Sequence, residues 1–561
     1  MVETMKRRVG VDRKSLEALQ VLIPNTALKR NIICAFLLLG IVAGYVKQEK
    51  DLFIPACCET DTAGYLILAE RIAAGGPVAV VDDDIFRHGS HVWVENKRGE
   101  LLPKYTPGYS ALMALGMLIA GEKGAFLVSP ISGALTLIGA FMLFWLWSSS
   151  CAAICATLVL ALNAMFLSYA SYPLAHIPNT CFVVWGMYFL WKWSRSPTVL
   201  TGIAAGLCLG SAVLIRPTSG LFSLVIAVTL GVEIVQQWRS EQWRLPPLGA
   251  IALSYSACLV VLGLYNWNVF GNPFTTGYAL SGEQGAFSLS VLKVNISHMF
   301  TGMYTHGVGF FFFLGLAGIV AKKNWLEAVM SLLWFFPLFF LYSAYYWTGS
   351  GGCSAMRLML CTFPLFIGLS FGLLDQVKLA KWRICLIIVL VCVSAILSNW
   401  IQMPAIGPYR CINIRAAIPQ MLAADHAEEH LKDNAVIFTA PMAAFYIGSG
   451  KRFVLYDIDL FQSHGWQKLL VESKWTPRRQ NKRTARLRKF YKENGDKLQD
   501  MKRALITRHM REGRQIAFIL PTRYVSSEIR DLDEGVTLTQ LAEWTVNKGG
   551  QTWGLYEAKR L

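Results

Sequence analysis

Two short stretches of the chain hold residue types that could do chemistry together. Glu59-Thr-Asp61-Thr-Ala-Gly-Tyr65 offers a carboxylate as proton acceptor, and Leu102-Pro-Lys104-Tyr-Thr-Pro-Gly108-Tyr109 offers an ammonium that can hold an anion. A general base must sit within hydrogen-bond reach of a hydroxyl, and a partly dry setting raises its basicity. Asp61 can meet both conditions and Glu59 meets them less directly; the plain alternative for Asp61 is a helix cap, because Thr60-Asp61-Thr62 precedes the periodic run Tyr65, Leu66, Leu68, Ala69, Ile72. Arg357 and Arg216 join Lys104 as cations at the edges of apolar runs, where snorkelling to lipid phosphate is the ordinary explanation. Arg357 follows the aromatic, glycine-rich stretch Tyr345 to Met356, and a fixed cation there could match the charge growing on a lipid-linked phosphate as it leaves. His176 could bind a metal, accept a proton or hold a sugar, although lone histidines are mostly structural.

The elements that must position these groups are membrane helices. The 561 residues are 54% hydrophobic and 16% charged, and several apolar runs approach the roughly 20 residues that cross a bilayer. A net charge of +17 could suggest nucleic acid, but Lys and Arg gather between apolar runs and in the carboxyl-terminal part, as membrane topology requires, so no nucleic acid partner is expected. Most of the 13 cysteines lie in apolar runs and no CxxC pattern occurs. Cys57, Cys58, Cys353 and Cys411 lie outside them, which leaves a disulfide open.

Residues 1–30 read as a basic cytoplasmic tail before an uncleaved first span near 31–46. The polar loop 47–123 then lies outside the cytoplasm, with Asp82, Asp83, Asp84, His88 and His91 between the two chemical stretches. Within it, Tyr109 to Ala120 would reach only about 18 Å as a helix, short of the roughly 30 Å hydrocarbon core, so it is expected to lie along the interface. Further spans are expected near 124–147, 152–169, 178–193, 198–215, 220–237, 247–265, 307–321, 326–343, 358–375 and 384–402. This places Lys192, Arg195, Arg239, Arg244, Lys322, Lys323, Lys378, Lys381 and Arg383 in the cytoplasm, in keeping with the positive-inside rule. The expected architecture is a polytopic α-helical membrane protein of about eleven spans over 31–402, with outer juxtamembrane helices.

From 403 to 561 apolar density falls, and the segment is long enough for a soluble domain outside the cytoplasm. Ala435–Phe438, Phe453–Tyr456, Ile516–Leu520 and Trp553–Tyr556 read as strands, with helical patterns around 414–432 and 480–510, which together predict an α/β domain. The basic segment Lys474 to Arg514 reads as a solvated face or an anionic contact. Asn295-Ile-Ser297 matches a glycosylation acceptor pattern that is too common to fix a compartment.

The order of these features resembles the type C (GT-C) membrane glycosyltransferases, which use polyprenyl-phosphate sugars; protein O-mannosyltransferases and the lipid A aminoarabinose transferase are examples. The residues that carry the likeness are Glu59-x-Asp61-x-x-x-Tyr65, Lys104-Tyr-Thr-Pro107-Gly-Tyr109, Arg216-Pro217, Tyr265-Asn266 with Phe270-Gly-Asn-Pro273, and Trp347-x-Gly-x-Gly-Gly-x-Ser-x-x-Arg357. The resemblance implies a helical core with outer interface helices and a soluble carboxyl-terminal domain. It implies that Asp61 is the base toward the acceptor, that Lys104 touches the donor phosphate and that Arg357 is a further phosphate ligand, with Arg216 beside them. The family often has Lys-Pro-Pro where this chain has Lys104-Tyr-Thr-Pro107. His176 stands where many relatives place Asp or Glu, which leaves a divalent metal open. Glu59, Tyr65, Tyr105, Tyr109, His176 and Trp347 are the candidates for holding substrate, the aromatics by stacking on sugar faces or by anchoring at the interface.

The expected activity is therefore an inverting transfer from a polyprenyl-phosphate sugar to a hydroxyl on a lipid, glycan or protein. The expected location is the extracytoplasmic face of a membrane such as the bacterial inner membrane. A lipid-linked sugar flippase is the main rival, but it should carry ionisable groups near mid-span, where this chain has hardly any. A non-catalytic scaffold presenting the carboxyl-terminal domain is a third reading.

Overall fold

Helix starts in this chain follow capping chemistry. Ser149, Asn163, Thr198 and Asn324 each sit just before a helix with a side-chain oxygen accepting a backbone N–H of the first turn. Pro107 opens another helix, where its missing N–H leaves nothing unsatisfied. The computed structural model describes residues 27–53, 55, 60–81, 92–241, 243, 245–349, 352–377, 380–397, 422–439, 453–461, 489–490, 492–523, 536–545 and 552–560. Glu59, Asp82, Asp83, Asp84, His88, His91, Cys57, Cys58, Cys411, the first 26 residues and residues 474–488 of the basic stretch lie outside them.

The helical part runs α1 (Ala27–Leu52), α2 (Thr60–Ala73), a hairpin of β1 (Trp93–Glu95) and β2 (Leu101–Pro103), then α3 (Pro107–Ala120), α4 (Glu122–Trp147), α5 (Ser150–Leu162), α6 (Ala164–Ala170), α7 (His176–Arg195) and α8 (Val199–Ile215). It continues through α9 (Ser223–Ser240), α10 (Leu245–Phe270), α11 (Gly277–Leu280), α12 (Leu289–Gly302), α13 (Phe311–Val320), α14 (Trp325–Ser343), α15 (Cys353–Met356), α16 (Phe363–Leu374) and α17 (Ala380–Leu397). One apolar core joins them, from Tyr45 on α1 to Ile387 on α17.

Among the described residues, six helices are long and apolar enough to cross a membrane, or up to eight if two bent pairs are each one span. This is fewer than the expected eleven or so. The runs expected at 178–193 and 384–402 are helical, as α7 and, up to Leu397, as α17, whereas the run expected at 152–169 bends by 62° between α5 and α6, where Asn163 caps a new helix, and 198–215 forms a helix of 17 residues. The span expected at 307–321 is the second arm of a pair bent by 111° after a π-turn at Met303–Gly307. Tyr109–Ala120 is a short apolar helix, packed on α2 and α4.

Polar contacts sort the loops into two groups. Arg195 and Lys322 both pair with Glu327, at 2.7 and 2.8 Å, while Asp375 accepts the Ser149 N–H at 2.6 Å. These loops share one end of the bundle. The loops carrying Lys104, Arg216, Glu283 and Arg357 meet elsewhere, around Asp61. Asn295, from the glycosylation pattern, is buried and donates to the Tyr345 carbonyl at 2.9 Å, so its amide is committed to packing.

The carboxyl-terminal part forms a five-stranded sheet in the order β4-β3-β5-β7-β6, from β3 (Val436–Thr439), β4 (Val454–Asp457), β5 (Ile516–Pro521), β6 (Val536–Thr545) and β7 (Thr552–Arg560). The three apolar strands pair in parallel and the last two add antiparallel. Buried Val436, Phe438, Ile516 and Phe518 pack under α18 (Leu498–Arg511) on one face. On the other face Ile437, Ala517 and Ile519 pack against Ala423 and Ala427 of the helical residues 422–430. Ala424 of that helix also touches the core of the helical part.

Candidate active site

Asp61 lies in the first turn of α2, and the residues just after it hold the carboxylate still. Gly64 leaves room for the ring of Tyr105, which a Cβ there would strike. Tyr105 donates its hydroxyl proton to Asp61 Oδ1 at 2.7 Å. The Tyr65 ring lies 4.3 Å from that of Tyr105 and 5.0 Å from that of Tyr109, whose hydroxyl meets Ser129 Oγ at 3.1 Å. All three tyrosines are buried, so the ring faces that the sequence offered to a sugar are spent on one another beneath the carboxylate.

Lys104 leaves the end of β2 with its backbone N–H donated to the Val92 carbonyl at 2.9 Å. Two residues on, Thr106 donates to the Ile215 carbonyl at 2.9 Å, and Gly108 lies directly on the backbone of Leu214 and Ile215. The Lys104 stretch is thereby laced to the end of α8, whose next residue is Arg216. On its other side Gly277 presses against the Lys104 backbone, where a side chain would not fit.

The charges converge. Arg357 Nη2 lies 4.0 Å from Asp61 Oδ2, and its guanidinium lies 4.9 Å from the centre of the Trp347 ring. Lys104 Nζ is bonded to Glu283 and sits near the rings of Tyr105 and Tyr278. Arg216 contacts His176 Nδ1 at 2.9 Å and donates to the Tyr342 hydroxyl at 3.2 Å. Arg357 is buried, yet 39% of the Asp61 side chain remains accessible, so the carboxylate is open to an incoming group rather than sealed in packing.

Burial by itself would raise the Asp61 carboxyl, but Lys104, Arg357, the Tyr105 hydroxyl and Arg216 outweigh it and hold the group below the usual carboxylate range. Burial pulls the other way on Lys104, where Glu283 and then Asp61 win and keep the ammonium more firmly protonated than usual. Tyr105 is pushed well above its ordinary value by burial first and Asp61 second, so it stays a donor. The free site thus holds Asp61 ionised among cations.

Of the residues singled out from the sequence, the structure brings Asp61, Tyr65, Lys104, Tyr105, Arg216 and Arg357 together, with Tyr109, His176 and Trp347 behind or beside them. His176 faces the Arg216 guanidinium, a setting that repels a metal cation and suits a positioning residue. Sequence reasoning missed Glu283, Tyr278 and Tyr342. Glu283 carried one usable signal, an acid in a loop between apolar runs; Tyr342 read as an ordinary span residue.

Residues 122–277 match the sequence model of the dolichyl-phosphate-mannose-protein mannosyltransferase family. No curated protein sequence matches the chain. In three dimensions it is similar to the crystal structure of ArnT from Cupriavidus metallidurans bound to undecaprenyl phosphate, with a TM-score of 0.56 at 11% identity, over 94% of this chain and 98% of that one. The apo structure of the same ArnT gives a TM-score of 0.53 at 13% identity, over 93% and 98%. A bundle with a carboxyl-terminal sheet, alike from end to end, identifies the chain's fold as that of the GT-C membrane glycosyltransferases.

Proposed function

We propose that this chain moves a sugar, with inversion, from a polyprenyl-phosphate-linked donor to an acceptor hydroxyl at the extracytoplasmic face of the membrane. The observation that carries the reading is the meeting of one ionised carboxylate with three cations from distant parts of the chain. Among the described residues Lys104, Arg216 and Arg357 face Asp61 and Glu283, so positive charge is in surplus. A phosphodiester brings the single negative charge that would neutralise it.

In the proposed step the acceptor oxygen attacks the anomeric carbon while the bond from that carbon to the phosphate oxygen breaks. The hydroxyl proton passes to Asp61, and the electron pair leaves with the phosphate as polyprenyl phosphate. Phosphate departs without being protonated, so cations serve where a glycosidase needs a second carboxyl group. Lys104 and Arg357 match the growing charge, and Arg216 adds to the same field. The low basicity of Asp61 in the free site is consistent with this order of events: once a donor phosphate engages the cations, their hold on the carboxylate weakens and its basicity rises. Trp347, partly exposed and stacked on Arg357, is the aromatic best placed to meet the sugar.

The test is direct. Purified protein in detergent is given polyprenyl-phosphate-mannose or polyprenyl-phosphate-aminoarabinose with a panel of lipid, glycan and peptide hydroxyl acceptors, and release of polyprenyl phosphate is measured. Asp61→Asn should slow release by about 10²- to 10⁴-fold, the usual contribution of a general base. Unchanged release by this variant would remove Asp61 from the reaction, and translocation in vesicles without any release would favour the flippase.

A further inference from the structure

Away from the Asp61 site, the carboxyl-terminal domain carries a cluster that sugar transfer does not use. His426, Glu429 and His430 lie on helical residues 422–430, and one ligand atom from each falls within 4.8 Å of the other two. The spacing explains why: residues three and four apart share a helix face, so both imidazoles and the carboxylate point the same way. Glu429 Oε2 stands 4.0 Å from His426 Nδ1 and 3.8 Å from His430 Nδ1, so the carboxylate lies within reach of both rings.

Further contacts orient the rings. The His426 imidazole is stacked on the Trp544 indole of β6 at 4.4 Å and 27°, and its Nδ1 is buried with no hydrogen-bond partner among the described residues. His430 Nδ1 lies 3.1 Å from the His426 carbonyl, which can only accept; a neutral ring that donates there from Nδ1 leaves Nε2 as the nitrogen for a metal. A hydrogen bond that fixes the tautomer and aims the other nitrogen is the usual support for a metal-binding histidine. His430 also ends the described helix, where the partial negative charge of the last carbonyls favours a bound cation.

We propose that His426, Glu429 and His430 form a transition-metal site that takes Zn²⁺. Two imidazole nitrogens and one carboxylate oxygen suit Zn²⁺ and its neighbours, whereas Mg²⁺ and Ca²⁺ prefer oxygen alone. Three protein ligands leave a fourth position for water or an incoming group. The helix also packs Ala423 and Ala427 on the sheet and Ala424 on the helical core, so metal bound here would stiffen the element where the two parts touch.

The experiment uses the full chain in detergent, without an affinity tag and stripped by a chelator, titrated calorimetrically with Zn²⁺ and spectroscopically with Co²⁺. The expected result is one equivalent of Zn²⁺ and a Co²⁺ spectrum typical of mixed nitrogen and oxygen ligands. His430→Ala and His426→Ala should each weaken binding by at least the roughly 10- to 100-fold that changes outside the ligand shell already produce, and Glu429→Gln should weaken it less. His430→Ala leaves the Trp544 stack intact, and its unfolding temperature without metal guards against a folding defect in His426→Ala. Zn²⁺ should raise the unfolding temperature of the parent but not of His430→Ala. No binding by the parent, or equal binding by parent and His430→Ala, would overturn the proposal whatever the outcome for sugar transfer.

Discussion

At the scale of single residues, the site pairs an acid that is hard to protonate with a base that is hard to deprotonate. Asp61 has its folded pKa depressed, so its contribution is present above the unfolded value of about 3.9 and is lost only as pH falls through the lower folded value. Lys104 has its folded pKa raised, so its contribution is complete below the unfolded value of about 10.4 and is lost as pH climbs through the higher folded one. Donor binding should therefore be flat across neutral pH, and the check is a binding profile from mildly acid to strongly alkaline buffer. Glu283→Gln removes the strongest neighbour that favours charged Lys104, so the alkaline fall should move to lower pH while the profile in mildly acid buffer stays flat. The sequence made Asp61, Lys104, Arg216 and Arg357 visible because charge is rare beside apolar runs, and the structure gathers all four. It could not show that Glu283 meets Lys104 across 179 positions, because no periodicity links residues so far apart.

At the scale of elements, small residues set the distances. A methyl group on Gly64 would strike the Tyr105 ring and crowd Val92, and that ring is buried against Tyr65. Gly64→Ala should cost about 1–3 kcal/mol as overpacking, and should also lower turnover because the Tyr105 to Asp61 hydrogen bond shifts. Thermal unfolding and polyprenyl phosphate release, measured on one preparation, separate the two effects. Strands legible in the sequence were the apolar ones, Val436–Thr439, Val454–Asp457 and Ile516–Pro521, together with Thr552–Arg560. Val536–Thr545 was missed because it is half exposed and rich in Thr, Gln and Glu; only pairing along Thr552–Arg560 makes it a strand. The hairpin of Trp93–Glu95 and Leu101–Pro103 was missed for a similar reason, since strands of three residues carry no readable alternation.

At the scale of the whole molecule, the inner and outer loops expected from charge fall at separate groups of contacts, Arg195 and Lys322 on Glu327 in one, Lys104 and Arg357 around Asp61 in the other. With the native cysteines replaced, Gly99→Cys in the hairpin turn and Lys559→Cys on the terminal strand should react with an impermeant maleimide from outside cells, and Lys323→Cys only after permeabilisation. Labelling of Lys323→Cys from outside would invert the orientation. Span geometry was less legible than span position, because hydropathy registers an apolar run but not the 62° and 111° bends found at two of them. The stitching of Thr106 and Gly108 to the end of the helix that precedes Arg216 bears on how any mutational study will read. The Thr106 hydroxyl and the Gly108 backbone fix where both basic side chains begin, so trimming Lys104 or Arg216 to alanine leaves these stitches in place. Losses measured for the two single variants then combine the missing charge with the contacts each side chain makes, to Glu283 for Lys104 and to His176 and Tyr342 for Arg216, and a double variant will show how far the pair acts on one shared anion.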